Sequence, residues 1–173
     1  KPGAIILSAM AIPCPSIPTV SYAGKIYNTV QIGNQCWLKE NLDVGIMIDS
    51  LQNQTDNSMI EKYCYHNDSN NCNTYGGLYQ WDEAMQYSRA EGAQGICPSG
   101  WHIPTQAEFQ TLITTVGEDA NALKEIGQGT GTNTSGFSAL LGGVFYNGNI
   151  RFKHLGQYAN FWSSSSQQMQ GTI

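Results

Sequence analysis

Thr105 followed three positions later by Glu108, directly ahead of an apolar run, constrains this chain more than any other feature. The pair reads as a capping box, in which each side chain satisfies a backbone donor that the first helical turn leaves unpaired. Phe109, Leu112, Ile113 and Val116 then recur at helical spacing, and Gly117 stands where a left-handed closing residue is wanted. The run predicts one amphipathic helix of about three turns. It begins inside CPSGWHIPTQAEF, Cys97 to Phe109, which joins a cysteine, a tryptophan and a helix start in one short stretch.

The length of 173 residues suits one domain with a real core, and composition shows no break. Residues 1–20 read as an N-terminal extension or edge strand and 21–173 as the domain. Charged residues make up 12% of the chain, about half of the ~25% usual for globular proteins. Eight Lys plus Arg and a formal charge of −5 leave no clustered cations for phosphates, which argues against nucleic acid as a partner. The longest apolar stretch, Ala4 to Pro13, is interrupted by Ser8 and is roughly half of the ~20 residues a membrane span needs. No span is expected, and the stretch lacks the charged leader and cleavage site of a signal peptide.

The cysteines fall into two close pairs, Cys14 with Cys36 and Cys64 with Cys72, and leave Cys97 over. Each bridge would clip an irregular polar segment, a stabilisation on the order of 2 to 3 kcal/mol in the loop-entropy model. Paired cysteines imply an oxidising compartment. Zinc is disfavoured, since neither Cys-x-x-Cys nor His-x-x-x-His spacing occurs.

Ile26 to Ile32 alternate as a half-buried strand, and CWLKENL follows after the turn residues Gly33 and Asn34, which predicts a hairpin. Gly45 to Ile60 reads as a surface loop with one short strand near Ile46 to Ile48, Glu61 to Tyr65 as a strand, and HNDSNNCNTYGG as a loop. Leu78, Trp81, Ala84 and Met85 share a helical face, predicting about three turns that end near Arg89, and Asp119 to Ile126 predicts a short third helix. In VFYNGNIRF, Asn147 and Gly148 suit a two-residue hairpin turn, and NFWSSS reads as a further strand.

Five segments, YNTVQIGNQCWLKENL, YCYHNDSNNCNTYGGLYQWDEAM, GICPSGWHIPTQAEFQTL, SGFSALLGGVFYNG and FWSSS, together resemble the Fibrobacter succinogenes major paralogous domain, in that family's order from Tyr27 to Ser165. The GWHIPTQAEF element is also similar to the GxRLPTEAEWE element of formylglycine-generating enzymes. The resemblance implies an α+β domain of C-type-lectin-like class, with small twisted antiparallel sheets, two main helices and long disulfide-clipped loops. It further implies secretion or surface display on bacteria such as Bacteroidetes, and additional strands beyond Ile173 carrying a partner for Cys97. The reactive cysteine pair of the formylglycine-generating enzymes lies late in the chain, and no cysteine follows Cys97, so that chemistry does not carry over.

No catalytic constellation is read. His102, beside Trp101 and before a proline, reads as a packed core residue, His66 as solvated, and Asp82 with Glu83 as a solvated helix face. The expected core tryptophans are Trp37, Trp81 and Trp101. Asp68 and Asn70, in a loop of oxygen-bearing side chains, form a weak calcium candidate, although the one carboxylate there and the absence of lectin sugar-calcium motifs weigh against it. No other cofactor is expected. Tyrosine, tryptophan and amide side chains set among few charges suit sugar rings and protein surfaces alike. The candidate contacts are Tyr146, Asn147 and Asn149 on the hairpin, and Tyr158, Asn160, Trp162 and Ser164 toward the end. The expected function is a non-enzymatic extracellular binding or adhesion module on a Gram-negative outer surface, anchored as a lipoprotein or held in a larger assembly, with a glycan or surface protein as partner. The alternative is a structural subunit completed by a partner strand, and an enzyme of the formylglycine-generating kind ranks last.

Overall fold

A computed structural model describes residues 11–148 and 151–170. The fold is α+β, built from four small sheets and four α-helices among those residues. The first sheet has the order β1-β2-β3, with β1 at Thr19–Tyr22, β2 at Lys25–Ile32 and β3 at Gln35–Leu38. The turn at Gly33 and Asn34 sets Ile32 opposite Gln35, as the hairpin pattern predicts. The alternation puts Val30 and Ile32 inside on one face, where Val30 is fully buried, and Tyr27 and Thr29 are buried on the other.

The chain before β1 is tied to this sheet. The Gln31 amide donates to the Ile12 carbonyl at 2.7 Å and the Cys14 amide to the Thr29 hydroxyl at 3.0 Å. The Cys14–Cys36 bridge fastens the segment to β3. The expected boundary after residue 20 therefore falls inside β1, and most of the Ala4 to Pro13 stretch lies outside the described residues.

Strands β4 (Ile46–Met47) and β5 (Glu61–Lys62) pair in parallel, an exception to the antiparallel expectation, and the strand read over Glu61 to Tyr65 shortens to two residues. Gly45 enables this pairing: its φ is +88°, and a Cβ there would lie 2.1 Å from the Ile60 carbonyl oxygen.

Two helix expectations are corrected. The segment HNDSNNCNTYGG is not a loop: a 3₁₀ turn at Tyr65–Asn67 leads into α1, Ser69–Tyr75. Asp68 caps α1 by accepting from the Asn70 amide at 2.9 Å, and the Cys64–Cys72 bridge ties the helix to the chain before it. Conversely, the helix expected over Leu78 to Arg89 is a single turn, α2 at Trp81–Ala84. Leu78 instead exchanges backbone hydrogen bonds with Tyr63 at 2.9 Å, and Gln86 and Tyr87 take positive φ. The capped helix forms as expected, as α3 over Gln106–Thr115, with both halves of the box in place. A short α4 spans Ala120–Leu123.

Strands β6 (Gly142–Phe145) and β7 (Phe152–Leu155) form the later hairpin, and β8 (Phe161–Ser163) pairs with β9 (Ser166–Gln170). The β6–β7 register sets Phe145 opposite Phe152, and the Tyr146 amide donates to the Arg151 carbonyl at 2.7 Å. Four residues thus connect the last pair, so Asn147-Gly148 is not the two-residue turn the dipeptide suggests.

Two apolar clusters make the core. One gathers Val30, Trp37, Phe109, Leu112, Phe137 and their neighbours between the first sheet and α3. The other gathers Val44, Trp81, Met85, Ile96, Cys97 and Ile103. Trp37 and Trp81 are buried as expected, whereas Trp101 is half-buried and packs against the second cluster without belonging to its buried set.

Candidate functional site

Between these clusters lies a cleft of about 570 Å³. One wall is β3 together with Phe109 and Phe137, and the other is formed by Ile96, Cys97 and Trp101 to Pro104. Strand β6 and residues Ala159 to Trp162 complete it. The aromatic packing is continuous on the first side, where Trp37 lies 5.5 Å from Phe109 and 5.6 Å from Phe137, ring centre to ring centre. Phe161 meets Phe137 edge-on at 5.8 Å.

Polar groups in the walls are mostly engaged. His102 and Glu108 meet at 2.9 Å, and the same carboxylate accepts from the Thr105 amide at 2.8 Å to close the capping box. His102 is therefore not the packed core residue expected: its side chain is 43% exposed, and it pairs across the helix start. Burial pushes the Glu108 carboxyl up. The Thr105 amide, the His102 ring and the Thr105 hydroxyl outweigh that and hold it below the usual range. Cys97 is unpaired, and burial pushes its thiol up to about 12. A thiol so protonated is a poor nucleophile.

The candidate contact residues separate into three groups. Tyr146, Asn147 and Tyr158 are exposed, as read from the sequence. They do not form one platform, because Tyr146 lies at one end of β6 while the Tyr158 carbonyl accepts from Gly143 near the other, about 10 Å along the strand. Asn160 and Trp162 line the cleft, with Trp162 half-buried and its indole donating to the Tyr79 carbonyl at 2.7 Å. Ser164 is not a contact at all: it is 3% exposed, and its hydroxyl accepts from the Gly92 amide at 3.0 Å. Asn149 lies outside the described residues.

At the calcium candidate, Asp68 caps α1 and Asn70 belongs to that helix. Asn67 is committed elsewhere, accepting from the Ser50 amide at 2.9 Å. Among the described residues no group of three or more His, Cys, Asp or Glu is placed to hold a metal ion. Asp82 is on the surface with Arg89 at 3.0 Å, but Glu83 is not the solvated residue expected. It is fully buried, accepting from the Glu61 amide at 2.9 Å and the Tyr87 hydroxyl at 2.8 Å.

The sequence profile of the Fibrobacter succinogenes major domain matches residues 30–172, from β2 through β9. The chain belongs to that family. The family match takes in most of the residues lining the cleft and both cysteines of the second bridge. No curated protein and no solved structure matches the chain. For this Fibrobacter succinogenes major domain, the cleft walls Gln35, Trp37 and Trp101 are what sequence reading missed as a site. They come together only through the packing of separate elements, and no local spacing announces them.

Proposed function

We propose that this domain is a non-enzymatic binding or adhesion module displayed outside a bacterial cell, taking a glycan or a surface protein at the mouth of the cleft. The observation that carries the reading is the cleft itself, whose walls are mostly apolar and rich in aromatic rings and whose hydrogen-bonded titratable pair, His102 with Glu108, is committed to a helix start. Aromatic rings stack on sugar faces and on apolar protein side chains, and Trp101 and Trp162 are half-buried there. Catalysis would need converging groups with tuned protonation, and the protonated Cys97 thiol offers none.

Two disulfides support an oxidising, extracellular address. No helix among the described residues is long and apolar enough to cross a membrane. The capped helix beside small sheets and clipped loops supports a C-type-lectin-like frame. A second reading, the structural subunit, is favoured by one feature: among the described residues β3 is an edge strand and lines the cleft, where a partner strand could pair with it.

The test is a binding screen of the chain against arrayed bacterial and host glycans and surface proteins, repeated with Trp101→Ala. The expected result is saturable binding that weakens at least tenfold in the variant while the fold is kept. Binding untouched by Trp101→Ala, or turnover of any captured ligand, would overturn the reading.

A further inference from the structure

We infer that the β3 wall of the cleft is built to hold a mostly apolar small molecule by a single hydroxyl, with Trp37 donating to it and Gln35 accepting from it. The inference rests on the reading of the cleft as a binding site and assigns it a ligand class.

Trp37 is 8% exposed, and its indole N–H has no hydrogen-bond partner among the described residues. Gln35 donates its amide to the Glu108 carbonyl at 3.1 Å, which leaves its side-chain oxygen buried and equally unpartnered. Both side chains line the cleft, and at positions i and i+2 of β3 they stand on one face of the strand. Native proteins seldom leave such groups open, because each costs about 1 to 3 kcal/mol. Here two unpartnered groups of opposite sense stand two residues apart on one face of β3, and both atoms are closed to solvent, so a ligand reaches them as the wall parts around it. A hydroxyl is both donor and acceptor, so one such group satisfies the pair.

The rest of the wall limits what carries that hydroxyl. Phe109, Phe137 and Phe161 offer aromatic contact and no polar atom. An unmodified hexose would bury several hydroxyls against them without partners, whereas an amphipathic alcohol buries its body there and keeps its one polar group for Trp37 and Gln35. The volume of about 570 Å³ is in the range of small-molecule sites.

The test uses 2-naphthol as the probe and 2-methoxynaphthalene, which lacks the hydroxyl donor, as its control, titrated into ¹⁵N-labelled protein. The Trp37 indole N–H resonance, identified by its loss in Trp37→Phe, should shift saturably with 2-naphthol. The methoxy probe, and 2-naphthol with Trp37→Phe or with Gln35→Met, should each bind about tenfold more weakly. Gln35→Met keeps the wall's volume, so it decides the matter if Trp37→Phe does not fold. Equal affinity for the two probes, or a Trp37 resonance that stays fixed at saturating 2-naphthol, would overturn the inference. A glycan or protein partner held equally by the wild type and Gln35→Met would leave the mouth of the cleft as a binding site and remove only this ligand class.

Discussion

Trp81 and Ser163 are 82 positions apart in sequence, and the Trp81 indole N–H donates to the Ser163 carbonyl at 2.8 Å. Trp162 returns the connection, its own indole donating to the Tyr79 carbonyl at 2.7 Å. The two bonds join β8 to the start of α2 and so fix one wall of the cleft against the second core cluster. Both are long-range, which is why the geometry of this wall depends on the late part of the chain being folded.

Replacing Trp81 with Phe removes the donor and leaves a buried carbonyl unpaired. With the packing lost from a side chain only 8% exposed, the expected cost is about 2 to 3 kcal/mol. Urea unfolding followed by tryptophan fluorescence measures it. A loss under about 0.5 kcal/mol would mean that the bond does not hold β8 in place.

Glu83 holds the 55–61 loop region to α2 through the Glu61 amide, and it is fully buried. Glu83→Ala should cost about 2 to 3 kcal/mol, since it strands the Glu61 N–H and the Tyr87 hydroxyl together. Glu83→Gln, which keeps the shape and one acceptor, should cost less. Hydrogen exchange at the Glu61 amide should quicken in the alanine variant ahead of the global core.

Gly45→Ala should be among the most damaging small substitutions in the chain. It combines a positive φ with a Cβ that would press on the Ile60 carbonyl, the acceptor of the Ile46 amide at 2.8 Å. The expected loss is about 2 kcal/mol or more. Thermal unfolding at two scan rates would report it as a drop in midpoint.

What could be read from the sequence was what neighbouring residues decide among themselves. Thr105 and Glu108 satisfy each other's backbone, and Gly33-Asn34 turns β2 into β3, so both were visible as spacing. Cys14, Cys36, Cys64 and Cys72 paired as their proximity suggested. The misreadings arose where a distant partner overrode a local pattern. Leu78 has the helical spacing of Trp81 and Met85 but is taken by Tyr63 as a bridge partner, which shortens the helix from its front end. The run Ser69 to Tyr75 has the composition of a loop, yet a single cap at Asp68 and a bridge at Cys72 make it helical. Asn147-Gly148 carries a turn signal, and the pairing of Phe145 with Phe152 places it in a longer connection. The cleft could not be read at all, because Gln35, Trp101 and Phe161 come from three separate parts of the chain.

The helix start at Thr105 makes stability depend on acid. The Glu108 carboxyl is held below its ordinary value of 4.5, so its charged form stabilises the fold above that pH, and the contribution fades as the pH falls through the lowered value. Its side chain is about one-third exposed, so the effect should stay below about 1 kcal/mol. Glu108→Gln keeps a capping-box residue and should flatten the stability profile below pH 4.5 while costing little at pH 3. Urea midpoints measured from pH 3 to pH 7 would show it. Parallel profiles for the wild type and the variant would contradict the assignment.

The most direct test is the state of the five cysteines, because the disulfide-clipped frame and the proposed address outside the cell both depend on oxidised bridges. Peptide mapping of the unreduced protein by mass spectrometry, joined to thiol titration, should find Cys14 linked to Cys36 and Cys64 linked to Cys72. It should also find one thiol, Cys97, that reacts only after unfolding, as its burial requires. Free thiols at the four bridge positions in the folded protein, or a different pairing, would contradict the account.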